Sequence, residues 1–125
     1  MFYTKILLER LIKVLYNYFS QWLTFERNYD IMKLLDTICA LSTPVGTGGI
    51  SVIRVSGPSA FDITDKIFKS KSRKTVSDMN THTVCLGDIF DSEGYRIDEV
   101  LATKFIGPHS FTGENVVEIS CHGGI

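Results

Sequence analysis

A chain of 125 residues with 44% apolar content has the size and composition of a single globular domain with a modest core. Thirteen Lys and Arg against fourteen Asp and Glu leave a formal net charge of −1, which argues against a dedicated nucleic-acid surface built on basic excess but leaves room for RNA contacts made by another part of a larger protein. The three cysteines, Cys39, Cys85 and Cys121, are odd in number and lack framework spacing, so a reducing, cytoplasmic setting is expected rather than a disulfide scaffold.

In chain order, Phe2 to Phe25 is rich in Ile, Leu, Tyr, Phe and Trp but is interrupted by Lys5, Glu9, Arg10 and Lys13. No charge-free run reaches the roughly 20 residues a membrane helix requires, and no small-residue cleavage site marks a signal peptide. Polar positions at 5, 9, 13, 17 and 20/21 predict an extra N-terminal amphipathic helix with a wide apolar face. Two readings stand for it: a peripheral membrane-surface or partner-binding helix, or non-native read-in upstream of a second start at Met32. Its balanced charges weigh against the membrane reading. Residues 1–31 are therefore set apart as an extension, and residues 32–125 as the domain.

After Met32 the pattern changes to short apolar runs punctuated by Gly and Pro. Asp36 to Ser42 reads as a strand and is followed by the loop Thr43-Pro-Val-Gly-Thr-Gly-Gly49. Ile50 to Val55 is a β-branched strand carrying Arg54. Ser56-Gly57-Pro58 signals a helix start, and Phe61, Ile63, Ile67 and Phe68 form the apolar stripe of a helix ending near Lys69. Five cations between Lys66 and Lys74 are expected on a solvated helix end and loop; the alternative, an RNA contact, lacks the interleaved aromatics typical of single-strand binding. Thr81 to Phe90 and Asp98 to Ile106 are strands joined by a hairpin turn at Asp91-Ser-Glu-Gly94. A second turn at Ser110 to Gly113 precedes a last strand, Asn115 to Ser120. The order β-β-α-β-β-β predicts an α+β domain with one main helix on a mainly antiparallel sheet.

Several groups are candidates for chemistry. Gly46, Gly48 and Gly49 allow backbone N–H groups to converge on an anion or a flat polar ring. A strand follows them and no Lys-Ser/Thr does, so the loop is neither a P-loop nor a dinucleotide fingerprint. Arg54 and Glu118 each sit inside an apolar β run, where a charge is costly unless paired or liganded. Three readings remain for them: a salt bridge with each other, a shared position on an uncovered sheet face, or a polar ligand in a half-buried pocket. In the last, the carboxylate would accept two parallel N–H bonds from an amidine-like edge, such as a pterin's ring N–H and exocyclic amine. His82, Cys85, Cys121 and His122 do not match a zinc spacing, so no metal is expected. Cys121 and His122, adjacent on a strand, face opposite ways and make a poor nucleophile pair. No catalytic residue is expected.

Five blocks in order carry a resemblance: Asp36-Thr-Ile-Cys-Ala, Thr43-Pro-Val-Gly-Thr-Gly-Gly49, Ile53-Arg-Val-Ser-Gly57, Gly107-Pro-His-Ser-Phe-Thr-Gly-Glu114, and Val117-Glu-Ile-Ser-Cys-His-Gly-Gly124. Together they resemble the N-terminal domain of the MnmE (TrmE) family of tRNA-modification GTPases, over Leu35 to Ile125. The resemblance implies a fold like the folate-binding module of aminomethyltransferases. It also implies dimerisation and binding of 5-formyltetrahydrofolate or a related one-carbon tetrahydrofolate, with the positions of Arg54 and Glu118 contacting the folate. The family loop is commonly Pro-Pro-Gly-Arg-Gly-Gly, whereas Val45 and Thr47 stand here. A third, basic folate contact would lie beyond Ile125, as would the helical domain and the GTPase domain with its GTP, Mg and K. The chain, closing on Cys-His-Gly-Gly-Ile, is thus expected to be a truncated piece without GTPase activity of its own. The parent protein would act with the flavoprotein MnmG on the wobble uridine of tRNA at C5, in the cytoplasm and away from membranes. Two alternatives accompany this reading: a non-catalytic dimerisation or interaction module, and a fragment of a folate-dependent aminomethyltransferase.

Overall fold

The computed structural model describes residues 10–15, 17 and 37–123. The second start at Met32, most of the amphipathic stretch Phe2 to Phe25, Asp36 and Gly124 lie outside them. Six strands form one sheet: β1 (Ile38–Leu41), β2 (Ile50–Ser56), β3 (Phe68–Ser70), β4 (Thr83–Phe90), β5 (Arg96–Phe105) and β6 (Val116–His122). One helix, α1 (Ala60–Ile67), follows β2. The spatial order is β1-β2-β6-β5-β4-β3, and every neighbouring pair is antiparallel. The α+β expectation of a mainly antiparallel sheet with one main helix therefore holds. The last strand inserts between β2 and β5, so the centre of the sheet joins segments far apart in sequence.

Alternation along the strands makes one face of the sheet dry. On it lie Ile53 and Val55 of β2, Val100 and Ala102 of β5, and Val117, Ile119 and Cys121 of β6, all buried. The face is covered by Ala60, Ile63 and Ile67 of α1 and by Val76 and Met79 of the loop before β4. An eight-residue helix is only about 12 Å long, too short to roof six strands. Residues 10–15 are helical and add Leu11, Val14 and Leu15 to the same core, while Arg10, Ile12 and Lys13 stay exposed. The remainder of the amphipathic helix expected over Phe2 to Phe25 lies outside the described residues, and within them apolar Ile12 is exposed.

Most strand ends shift by one or two residues from the sequence expectation, and three differences have a clear physical cause. The helix begins at Ala60 rather than at Pro58, with Ser59 as its N-cap residue and the Ser59 N–H donating to Thr37 Oγ1 at 3.1 Å. It also ends at Ile67, and Phe68–Ser70 is an edge strand paired with Gly87–Ile89 instead of a helix end and loop. The Phe68 ring occupies the place a side chain at position 87 would take, which is why glycine stands there. Within the cationic stretch, Lys71 is ion-paired to Asp88 and to Glu99 rather than simply solvated. Finally, β4 starts at Thr83, because His82 adopts a left-handed φ of 59° that breaks the strand.

Candidate functional site

The opposite face of the sheet is only partly covered, and Arg54 and Glu118 lie on it. They are direct register partners, β2 against β6. Ile50 and Val52 share this open face with Arg54: Ile50 is 66% exposed, whereas Ile53 and Val55 point into the core. Arg54 Nε and Nη2 both donate to Glu118 Oε1, at 3.0 and 2.6 Å. The two side chains are 24% and 27% exposed. Two of the three readings of this pair are therefore realised together, the mutual salt bridge and the open face.

The pairing is lopsided. Oε1 takes both arginine bonds, and Glu118 Oε2 has no hydrogen-bond partner among the described residues. Arg54 Nη1 is in the same position. The row across the sheet continues with Ala40 beside Arg54 and Thr103 beside Glu118, both small. A half-buried acceptor thus stands next to a half-buried donor with little side-chain bulk at either flank. That arrangement suits the edge of a flat polar heterocycle.

Beyond the pair the face is roofed by the β5–β6 connection. Ser56 and Val116, register partners on the open side, are buried because residues 107–114 fold back over them. Ser56 Oγ donates to Glu114 Oε2 at 2.8 Å and lies 2.7 Å from Thr112 Oγ1. The loop is closed by Ser110 Oγ donating to the Glu114 carbonyl at 2.6 Å and by the Gly107 N–H donating to Asn115 Oδ1 at 3.1 Å. Gly113 has φ 77°, and a Cβ at Gly107 would sit 2.8 Å from the Gly113 carbonyl oxygen, so both glycines are required. The loop places the Phe111 ring centroid 4.7 Å from the Arg54 guanidinium carbon. In the sequence Ser110 to Gly113 stands out as a turn inside one of the five family blocks, with no role marked for Phe111. The available signal was a large aromatic at a turn tip, where burial offers it nothing.

The glycine loop at 43–49 takes a different place. It joins β1 to β2 at the end of the sheet where Ile50 pairs with His122, about 13 Å along the strand from Arg54 at 3.3 Å per residue. Its contacts are structural: Val52 N–H donates to Thr43 Oγ1 at 3.2 Å, and Gly123 N–H to the Gly49 carbonyl at 3.1 Å. A Cβ at Gly123 would come 2.6 Å from the Ile50 carbonyl carbon and 2.7 Å from the Gly48 carbonyl oxygen. The Cys-His-Gly exit therefore meets the glycine loop backbone to backbone. Beside this junction is a shallow hollow of about 280 Å³ lined by Ile50, Leu86, Leu101, Ser120 and His122.

His122 Nδ1 lies 2.7 Å from Asp98 Oδ1, and the His122 backbone N–H donates to Asp98 Oδ2 at 2.9 Å. Cys121 points the other way, into the core, and donates to the Ser51 carbonyl at 3.3 Å. Burial, with the Asp98 charge adding to it, pushes the Cys121 thiol up to about 11, so it stays protonated at neutral pH and is no nucleophile. Burial does the same to Cys39, also to about 11. His82 lies against Thr81, and Cys85 against Ser70 Oγ at 2.9 Å, away from Cys121 and His122. Among the described residues no three His, Cys, Asp or Glu side chains gather as a metal site, and no helix is long and apolar enough to cross a membrane.

A small antiparallel α+β domain, offering a paired arginine and glutamate on an open sheet face, is the class of protein that fold and site define. Comparison with known proteins is more specific. The family model described as "GTP-binding protein TrmE N-terminus" matches residues 37–125. Among curated proteins, the chain is 55% identical over 92 residues to a tRNA modification GTPase MnmE from Christiangramia forsetii, covering 74% of this chain and 19% of that one. It is 58% identical over 88 residues to the MnmE of Cytophaga hutchinsonii (70% and 18%), and 47% over 92 residues to that of Bacillus subtilis strain 168 (73% and 20%). The chain belongs to the TrmE N-terminal family, and spans about a fifth of the length of the curated relatives it matches.

Proposed function

We propose that this chain is the tetrahydrofolate-binding and dimerisation module of a GTPase that takes part in wobble-uridine modification of tRNA. The observation that carries the binding half is the Arg54–Glu118 pair, half-buried on the open face, with Glu118 Oε2 unengaged among the described residues. The donor set fits the head of a one-carbon tetrahydrofolate such as 5-formyltetrahydrofolate. Glu118 Oε2 accepts an N–H from the 2-amino-4-oxopyrimidine edge, and Arg54 Nη1 donates to the ring carbonyl. To accept two parallel N–H bonds, Glu118 gives up one of the arginine bonds now on Oε1. When bound, the folate supplies a one-carbon unit. The chain's own residues recognise its head, orient it along the sheet and exclude water from one side.

Dimerisation is supported by the rest of the open face. Val84 and Leu86 of β4 and Leu101 of β5, with Ile50 of β2 beyond the intervening β6, are exposed by 44–66%, the kind of apolar surface that marks an association site. Nucleotide hydrolysis, with GTP, Mg and K, and action on tRNA with the flavoprotein MnmG in the cytoplasm, fall to the full-length protein in this reading. The 125-residue chain itself is expected to show no GTPase activity. Calorimetric titration of 5-formyltetrahydrofolate into the wild-type chain, Arg54→Ala and Glu118→Ala tests the proposal. Binding by wild type that falls at least tenfold in both variants supports it. Equal weak binding by all three overturns it in favour of a plain interaction module.

A further inference from the structure

Phe111 combines two features that rarely go together. It is 86% exposed, yet its ring stands over the Arg54 guanidinium at 4.7 Å. The backbone that presents it is not a loose tip. Ser110 Oγ is bonded to the Glu114 carbonyl, and Ser56 Oγ ties Thr112 and Glu114 to β2. A loop wired this firmly spends its hydrogen bonds on holding one aromatic ring above one planar cation. The ring gains little from burial there. The contact supplies only the modest attraction of a solvated cation–π pair.

Resting on the folate-head reading of the same site, we propose that Phe111 is the aromatic wall of that site, stacking on the flat ring bound edge-on by Arg54 and Glu118. A heterocycle hydrogen-bonded to Glu118 Oε2 and Arg54 Nη1 extends the plane of the guanidinium and carboxylate. Its face then comes beside the ring that already overhangs Arg54. The ligand class follows from this: a nitrogen heterocycle with a flat ring carrying adjacent donor and acceptor edges, in preference to a ligand of equal polarity with no flat ring. With no ligand, Arg54 takes the ring's company and keeps the wall in place.

The test is calorimetry on the full 125-residue chain, as wild type, Phe111→Ala, Phe111→Tyr and Glu118→Ala, with two probes. One is 5-formyltetrahydrofolate. The other is 2-amino-4-oxopteridine, which has the flat head and no tail. Aromatic stacking sets the expected effect of Phe111→Ala at roughly three- to tenfold weaker binding of both probes. Phe111→Tyr restores binding to within about twofold, since the aromatic face is kept. Because Phe111 buries so little area and its cation–π contact is modest, the melting temperature of Phe111→Ala stays within a few degrees of the wild-type value, which separates a binding role from a structural one. Wild-type affinity in Phe111→Ala together with lost affinity in Glu118→Ala overturns the wall and leaves the pair as the head site. Weakened 5-formyltetrahydrofolate with unchanged pteridine also overturns it, because Phe111 then touches the tail or the reduced, formylated ring and not the flat ring held by Arg54 and Glu118. No difference among all four proteins removes the folate reading itself, and the wall with it.

Discussion

The Arg54–Glu118 pair can be weighed before any ligand is added, by a double-mutant cycle of Arg54→Ala, Glu118→Ala and the double variant. Two unit charges about 4 Å apart attract by about 4 kcal/mol at an effective dielectric near 20. The side chains, 24% and 27% exposed, have lost much of their hydration, and that desolvation offsets most of the attraction. Exposed pairs retain at most about 1 kcal/mol, whereas two bonds onto one oxygen in a half-buried setting favour more. The expected coupling is about 1–2 kcal/mol, or roughly 3–8 °C in melting temperature for a chain of this size. Urea unfolding of the four proteins, read by far-UV circular dichroism, gives the coupling energy directly. Part of it should disappear in 1 M NaCl, since the pair still faces solvent. A coupling below about 0.3 kcal/mol would refute the half-buried reasoning and put the pair among exposed ion pairs that contribute nothing measurable. An apolar replacement, Arg54→Met with Glu118→Leu, should match or exceed wild-type stability while losing ligand affinity.

Three further outcomes follow from other parts of the molecule. Gly123→Ala forces a Cβ to 2.6 Å from the Ile50 backbone. The backbone cannot yield as a flexible side chain would, so a loss of about 1–3 kcal/mol is expected in chemical denaturation. Leu15, 1% exposed in the core, should cost about 2–5 kcal/mol as Leu15→Ala. A neutral result there would place residues 10–15 outside the folded domain. Asp88 is held below the ordinary carboxylate value of 3.8 chiefly by the Lys71 hydrogen bond, helped by Arg96 and opposed by burial. A carboxyl depressed in the folded state contributes stability that is present above its unfolded value and is lost as pH falls through its folded one. Melting temperatures from pH 7 to 2 should therefore fall less steeply for Asp88→Asn than for wild type, with the difference appearing below about pH 4.

Much of the sheet was legible because it rests on short-range rules. The β-branched run Ile50 to Val55, the hairpin at Asp91–Gly94 and the alternation in β5 each state their conformation within a few residues. The edge strand Phe68–Ser70 was not legible, because Gly87, seventeen residues beyond Ser70, admits the Phe68 ring. Locally the stretch continues the helical stripe, and only pairing with β4 outweighs that. The glycine loop was legible as a loop, yet its role was not. Its glycines meet Gly123 across the sheet, and that approach has no local signature.

By itself the sequence determined the family, the antiparallel α+β class, and the singling out of Arg54 and Glu118 as charges inside apolar strands. Those properties live in residue identity and spacing, and they survive without coordinates. The tertiary structure decided that the two charges meet, since they stand 64 residues apart and come together only in the β2–β6 register. It decided too which side of the sheet they occupy. Alternation along a strand defines two faces but does not say which one is covered, and that depends on where α1 and residues 10–15 land. Placing Phe111 over Arg54 belongs to the same level, because a turn's sequence states its bend and not what lies beneath it.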